Sequence, residues 1–141
     1  KVRAIGISTH DRKFAGRLAE EKALDVLMVR YNAAHRGAER DIFQNLHDHE
    51  TGIIGYTATR WTYLIRRPKK HPKDQRVPDA SLCYRFVLSN PNVDACMTAP
   101  RNLKQFEENL AGINKGTLDD EEMSFMKTFG DVVYRQQKWF M

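Results

Sequence analysis

Four short apolar runs rich in β-branched residues alternate along this chain with segments whose apolar residues recur at helical spacing. The runs are residues 2–8 (VRAIGIS), 24–31 (LDVLMVRY), 53–58 (IIGYTA) and 93–98 (VDACMT). After the first, Asp11 opens a segment with Phe14, Ala15, Leu18 and Ala19 on one face. After the second, residues 37–47 place Ala38, Ile42, Phe43 and Leu46 together. Asp79 then caps a segment carrying Leu82, Cys83, Phe86 and Val87, and Asn102 with Gln105 opens a helix with Leu103, Phe106, Leu110 and Ile113 on its inside. Thr117 and Asp120 open a tail helix over 118–130 with Met123, Met126 and Phe129 on its apolar side. Near-continuous apolar strands separated by amphipathic helices demand a parallel sheet, since only helical crossovers return the chain to the same end. The expectation is an α/β fold of four consecutive βα units plus a tail helix, one domain over 1–141.

Parallel crossovers are right-handed, so every strand's carboxyl end falls at one rim of the sheet. Four polar clusters then meet there: Ser8-Thr9-His10, Tyr31-Asn32, Tyr56-Thr57 and Thr98 through Arg101. In parallel α/β folds that rim is where ligands bind. The last cluster runs straight into a helix start with Arg101, Asn102 and Gln105. Backbone N–H groups and the helix dipole favour an anion at such a start, and Arg101 adds a bidentate donor, so this segment suits phosphate.

Other chemistries lack their motifs. The chain has no GxGxxG, GxxxxGK[ST] or GxSxG. His47-Asp48-His49-Glu50 has metal-ligating residue types, but adjacent residues at a helix end point apart and no HExxH spacing or cysteine partner accompanies them. His10 and His35 are isolated loop histidines in sequence, and Asp119 through Glu122 reads as an acidic first helical turn.

The net charge of +5 is local: residues 66–76 hold Arg66, Arg67, Lys69, Lys70, Lys73 and Arg76 against Asp74. Pro68, Pro72 and Pro78 exclude a regular helix or central strand from the stretch 66–78. A solvated loop is preferred to a nucleic-acid surface, because no aromatic–basic interleaving or nucleic-acid motif follows. A flap near a bound phosphate is a third reading. Cys83 and Cys96 are too few for a disulfide framework and sit in apolar segments, so reduced thiols and a cytoplasmic location are expected. No apolar run reaches the ~18 residues that span a bilayer, and no membrane partner is expected. The chain starts at Lys1, which suggests an upstream segment.

Together these residues resemble the carboxyl-terminal half of the aldo/keto reductase (β/α)8 barrel, over roughly residues 3–130. Ile5-Gly6-Ile7-Ser8 followed by His10 looks like the family's fifth strand, where Ser and Asn hold the nicotinamide carboxamide; here Ser8 is kept and Thr9 stands for Asn. Residues 25–32 look like the sixth strand, with Met28 where the family often has Gln. Gly55-Tyr56-Thr57 looks like the seventh, whose Tyr stacks on the nicotinamide. Arg101, Gln105, Glu108 and Asn109 match the pattern that binds the 2′-phosphate and adenine, with Ala99 where many relatives have Gly.

The resemblance implies a weak or vestigial NADP(H) site formed by Ser8, Tyr56, Thr57, Arg101, Gln105, Glu108 and Asn109. It implies no catalytic residues here, since the family's Asp, Tyr, Lys and His lie on the first four βα units. A reductase-related half barrel, inactive by itself, is one expectation. A stand-alone binding or structural protein is the alternative. Half a barrel leaves two unpaired edges and an apolar inner face, from side chains such as Ile5, Leu27 and Ile53 or their immediate neighbours. Either a homodimer or a complementary amino-terminal half barrel would cover them. A third possibility is that residues 129–141, with Tyr134, Trp139 and Phe140, fold across the open face.

Overall fold

The computed structural model describes residues 1–46, 51–69 and 71–136. Strands β1 (Gly6–Thr9), β2 (Val26–Arg30), β3 (Gly52–Tyr56) and β4 (Ala95–Cys96) lie side by side in chain order, all parallel. Between them run α1 (Arg12–Glu20), α2 (Gly37–Asp41) and α3 (Ala80–Leu88). The helices α4 (Leu103–Ile113) and α5 (Asp120–Gln136) follow the last strand. The expected α/β half barrel is present.

The strands are shorter than the apolar runs. Residues 2–5 precede the start of β2 and have no strand beside them; the Ile5 carbonyl only accepts from the amides of Asp25 and Val26. At the other end, Thr57 turns out of β3 with φ at +58°.

Residues two apart on a strand share a face. On β2 and β3, Leu27, Val29 and Ile53 are fully buried, and a Cβ on Gly55 would stand 2.7 Å from Val87 of α3. That face is therefore covered by helices. The register sets Ser8 beside Met28 and Ile54, and Arg30 beside Tyr56, on the opposite, open face. So Leu27 and Ile53 do not line the inner face; their neighbours Met28 and Ile54 do. Two-sided apolar strands hide this parity, because both alternating sets are hydrophobic.

Helix starts follow local rules. Asp11, Asp79, Asn102 and Asp119 each accept a hydrogen bond from the amide three residues on, at 2.7–2.9 Å. The expected helix over 37–47 instead breaks after α2 into a 3-10 turn, Phe43–Asn45, while Ala38, Ile42 and Phe43 remain buried. The expected inside of α4 is largely outside: Leu103, Phe106 and Leu110 are 69%, 41% and 44% exposed. Its buried residues are Asn109 and Gly112, which packs directly on Ser81 of α3. A sheet of eight strands would have a further helix on the apolar side of α4.

The tail helix is longer than expected, and its Met126, Phe129 and Val133 are buried. Gly130 lets it pass the Ala33 carbonyl, only 2.2 Å from where a Cβ would sit. Arg85 of α3 holds its start, donating to both Glu122 carboxylate oxygens at 2.7 and 2.8 Å and to the carbonyls of Gly116 and Thr117. The basic Pro-rich loop is solvated as expected, with Arg66, Arg67, Lys69, Lys73 and Arg76 exposed, and is also fastened to α5. Arg76 lies over the Phe125 ring at 5.0 Å, His71 meets Phe129 edge-on, and Gln136 donates to the Lys69 carbonyl. Within the loop Arg67 donates to the Pro72 carbonyl. Cys83 is buried and Cys96 half-buried, both as free thiols. Among the described residues no helix is long and apolar enough to cross a membrane. His47-Asp48-His49-Glu50, Lys70, Trp139 and Phe140 lie outside the described residues.

Candidate cofactor-binding rim

The carboxyl ends of the strands bring three of the expected site residues to one place. Ser8 is exposed on the open face, across Met28 from β3. Tyr56 ends β3 on the same face, and Thr57 follows it. The Tyr56 hydroxyl lies 2.9 Å from His10 Nδ1, donating when that nitrogen is bare, and the rings meet edge-on at 5.8 Å. Partial burial raises the Tyr56 pKa, against an opposing pull from the Arg30 charge beside it. His10 and Arg30 thus belong to the rim with Tyr56. The sequence places His10 at the rim, in the Ser8-Thr9-His10 cluster, but not its contact with Tyr56, which spans 46 residues, and it does not mark Arg30.

The loop after Tyr56 is strained. Thr57, Arg60, Trp61 and Thr62 all have φ between +48° and +74°, a region that costs roughly 1–3 kcal/mol for each such residue. Asn32 supports the turn: wholly buried, it donates from Nδ2 to the Thr57 carbonyl at 2.9 Å. Its Oδ1 accepts from the amides of Ala34 and His35. Asn32 is therefore a brace rather than a ligand. Tyr31 is likewise a core residue, its hydroxyl donating to Glu39 at 2.5 Å and accepting from Asn90 at 3.1 Å. Burial first, and then the Glu39 hydrogen bond, push its pKa up. Arg60 is buried and donates to the Val133 carbonyl of α5 at 3.0 Å.

The other four expected residues sit on and just before α4. Arg101 is exposed, and its amide donates to Gln105 Oε1 at 2.9 Å, so Gln105 reaches back one residue beyond the cap Asn102. That leaves the Arg101 guanidinium and Gln105 Nε2 for a ligand. Glu108 is exposed, 3.9 Å from Lys104. Asn109 is buried, its Nδ2 3.4 Å from Thr98 Oγ1 at the end of its own strand segment.

No family model matches the chain, and no curated protein matches it. Solved structures do. Aldo-keto reductase AKR11C1 from Bacillus halodurans superposes in its holo form with a TM-score of 0.67 at 16% identity, over 88% of this chain and 49% of that one. Its apo form gives 0.68 at 17%, over 88% and 50%. The thermostable aldo-keto reductase Tm1743, solved with the inhibitor epalrestat, gives 0.61 at 24%, over 90% and 48%. The fold is half of an aldo-keto reductase barrel. The chain spans about half the length of the structures it matches.

The half barrel offers one independent observation on cofactor fit. Thr57 Oγ1 is buried without a hydrogen-bond partner, directly after Tyr56 and in a strained turn. Buried hydroxyls are normally paired, so this orphan is a polar group of the turn that the described residues do not satisfy. Arg101 supplies the positive charge that a phosphate needs.

Proposed function

We propose that this chain is the cofactor-gripping half of an aldo-keto reductase-type barrel, with a weak NADP(H) site and no reductase activity of its own. The single observation that carries the reading is the rim itself. Ser8, Tyr56 and the unpaired Thr57 hydroxyl stand at the strand ends, and an Arg101 guanidinium with no partner among the described residues stands at the capped start of the helix that follows β4. Tyr56 would face the nicotinamide ring, Ser8 its carboxamide, and Arg101 with Gln105 Nε2 the 2′-phosphate. Bound NADP(H) would supply hydride-transfer chemistry. The chain's own residues would orient it: Asn32 and the strained turn hold Thr57, and His10 fixes the Tyr56 hydroxyl. Proton transfer to a substrate carbonyl would come from groups on the other four βα units, so 10²–10⁴-fold of rate is absent from this half.

Affinity would be low, because only one wall of the cleft is in place. NADPH should still bind more tightly than NADH, since only NADPH carries the phosphate for Arg101. Titration of the purified chain with both cofactors, and of an Arg101→Ala variant, tests this. Equal affinities, or an unchanged variant, would remove the cofactor assignment.

A second reading is supported by exposed apolar surface at both edges of the sheet. Ile5 and Val2 flank β1 and are 55% and 79% exposed, and the Leu103–Phe106–Leu110 stripe flanks β4. Such surface fits either a complementary half barrel or a second copy of this chain.

A further inference from the structure

A cleft of about 610 Å³ opens at the same rim, between the start of α1, the end of β2, the start of α2 and the carboxyl-terminal turns of α5. It is a separate cavity from the Arg101 segment, and none of the residues assigned above to NADP(H) lines it. We propose that this cleft is an anion site for a small carboxylate or phosphate ester, with Arg30 and Lys13 as its principal donors.

The charge census singles these two out. Five cationic side chains line the cleft against three carboxylates. Asp41 is shared by two arginines, 2.8 Å from Arg12 Nε and 2.7 Å from Arg40 Nε. Asp131 is taken by Arg36 at 2.7 Å, and Asp11 is spent capping α1. Among the described residues no carboxylate pairs with Arg30 or Lys13. Arg30 is half-buried on the open face beside Tyr56, and its charge helps to lower the pKa of Arg60, whose main cause is burial.

This accumulation opposes folding on two counts. Lys13 puts a positive charge in the first turn of α1, where the dipole favours the opposite sign and only the Asp11 cap opposes it. Arg30 stands in a concave site whose low-dielectric walls focus its field. An oxyanion held between Arg30 and Lys13 relieves both. Tyr134 of α5 and the His10 imidazole border the same space and can take the ligand's uncharged part. The volume suits a small metabolite. On the reading given above, the barrel's substrate is then anionic; anion binding itself does not depend on that reading.

The test is titration of the isotopically labelled chain with inorganic phosphate and with succinate, at ionic strength held constant with chloride. We expect saturable binding of at least one probe, with amide shifts centred on residues 10–13, 30 and 34–40. Tighter phosphate binding assigns a phosphate ester, and tighter succinate binding a carboxylate. Arg30→Gln should weaken the binding read at these residues about tenfold, the loss of one charge-assisted contact, whereas phosphate held at the separate Arg101 segment would shift residues 101–105 instead. Because no partner is lost within the described residues and one repulsive charge is removed, Arg30→Gln should melt no lower than the parent, which separates lost binding from lost fold. Non-saturating shifts, equal response to chloride, or unaltered binding by Arg30→Gln would overturn the proposal. So would displacement of the probe by NADPH, which would make the cleft part of the cofactor's own phosphate site. Failure of NADPH to bind while phosphate does would remove the cofactor reading and leave this one standing.

Discussion

Asn32 is the residue on which the rim most depends. Its side chain satisfies two amides of its own turn and the carbonyl of Thr57, from a position with no solvent access. Asn32→Ala leaves the Ala34 amide buried and unpaired, at about 1–3 kcal/mol, and removes two further bonds at about 1 kcal/mol each, although the His35 amide keeps the residue-32 carbonyl and the Thr57 carbonyl keeps the Arg60 amide. We predict a loss of roughly 2–4 kcal/mol in urea denaturation, with the Thr57 turn losing amide-exchange protection first. Asp41 makes a different prediction. The hydrogen bonds from Arg40, and then from Arg12, hold its carboxyl at about 2, below the ordinary value of 3.8. The folded pKa is the lower one, so the stabilisation is complete above pH ~4 and is lost as pH falls through about 2. A full shift of this size corresponds to ~2 kcal/mol, and solvent screening at the exposed Arg40 reduces it to about 1 kcal/mol. The stability difference between the parent and Asp41→Asn should therefore be present at pH 5 and vanish near pH 2. A difference independent of pH would contradict this.

At the scale of elements, α5 is joined to the half barrel by few but specific contacts. Arg85 and Glu122 form a bidentate pair with Arg85 buried, and the pair ties α3 to the first turn of α5. The Arg85 hydrogen bonds pull the Glu122 carboxyl below its ordinary value. Removing one partner strands the other, so Arg85→Ala should destabilise by about 3–5 kcal/mol, most of it as early melting of α5. Arg85→Met with Glu122→Leu should recover much of that loss, since a packed apolar pair avoids the stranded charge. Thermal unfolding followed by hydrogen exchange over residues 120–136 checks both.

At the scale of the whole molecule, the sheet is incomplete. Among the described residues the β1 edge has no partner strand, β4 has two residues, and the open face is lined by Ser8, Met28, Arg30, Ile54 and Tyr56. The described part of α5 packs on α3 and the rim loops. Two apolar edges on one small domain favour association, because burying them removes a few hundred Å² of apolar surface from water. We predict that the chain sediments as a dimer at micromolar concentration, and that Leu103→Asp with Phe106→Glu shifts it to monomer without loss of helix content. A parent chain that is strictly monomeric at that concentration would rule this out.

The order and type of the elements were legible from residues alone, because helical periodicity and the three-residue reach of Asp11, Asp79 and Asn102 are local properties. So was the rim, since parallel crossovers place every strand's carboxyl end together. Part of the candidate site followed from it: Ser8, Tyr56 and Thr57 stand at that rim, and Arg101 and Gln105 at a capped helix start. The same residues did not show that Tyr31 and Asn32 are consumed by the core, or that His10 and Arg30 flank Tyr56. They did not show which face of β2 and β3 the helices cover, or that the α4 stripe lies open. Each of these depends on which distant segment occupies the neighbouring space, and in strands apolar on both faces no local pattern encodes it. Only the packed structure, with the described crossover helices on one side of the sheet, decided them.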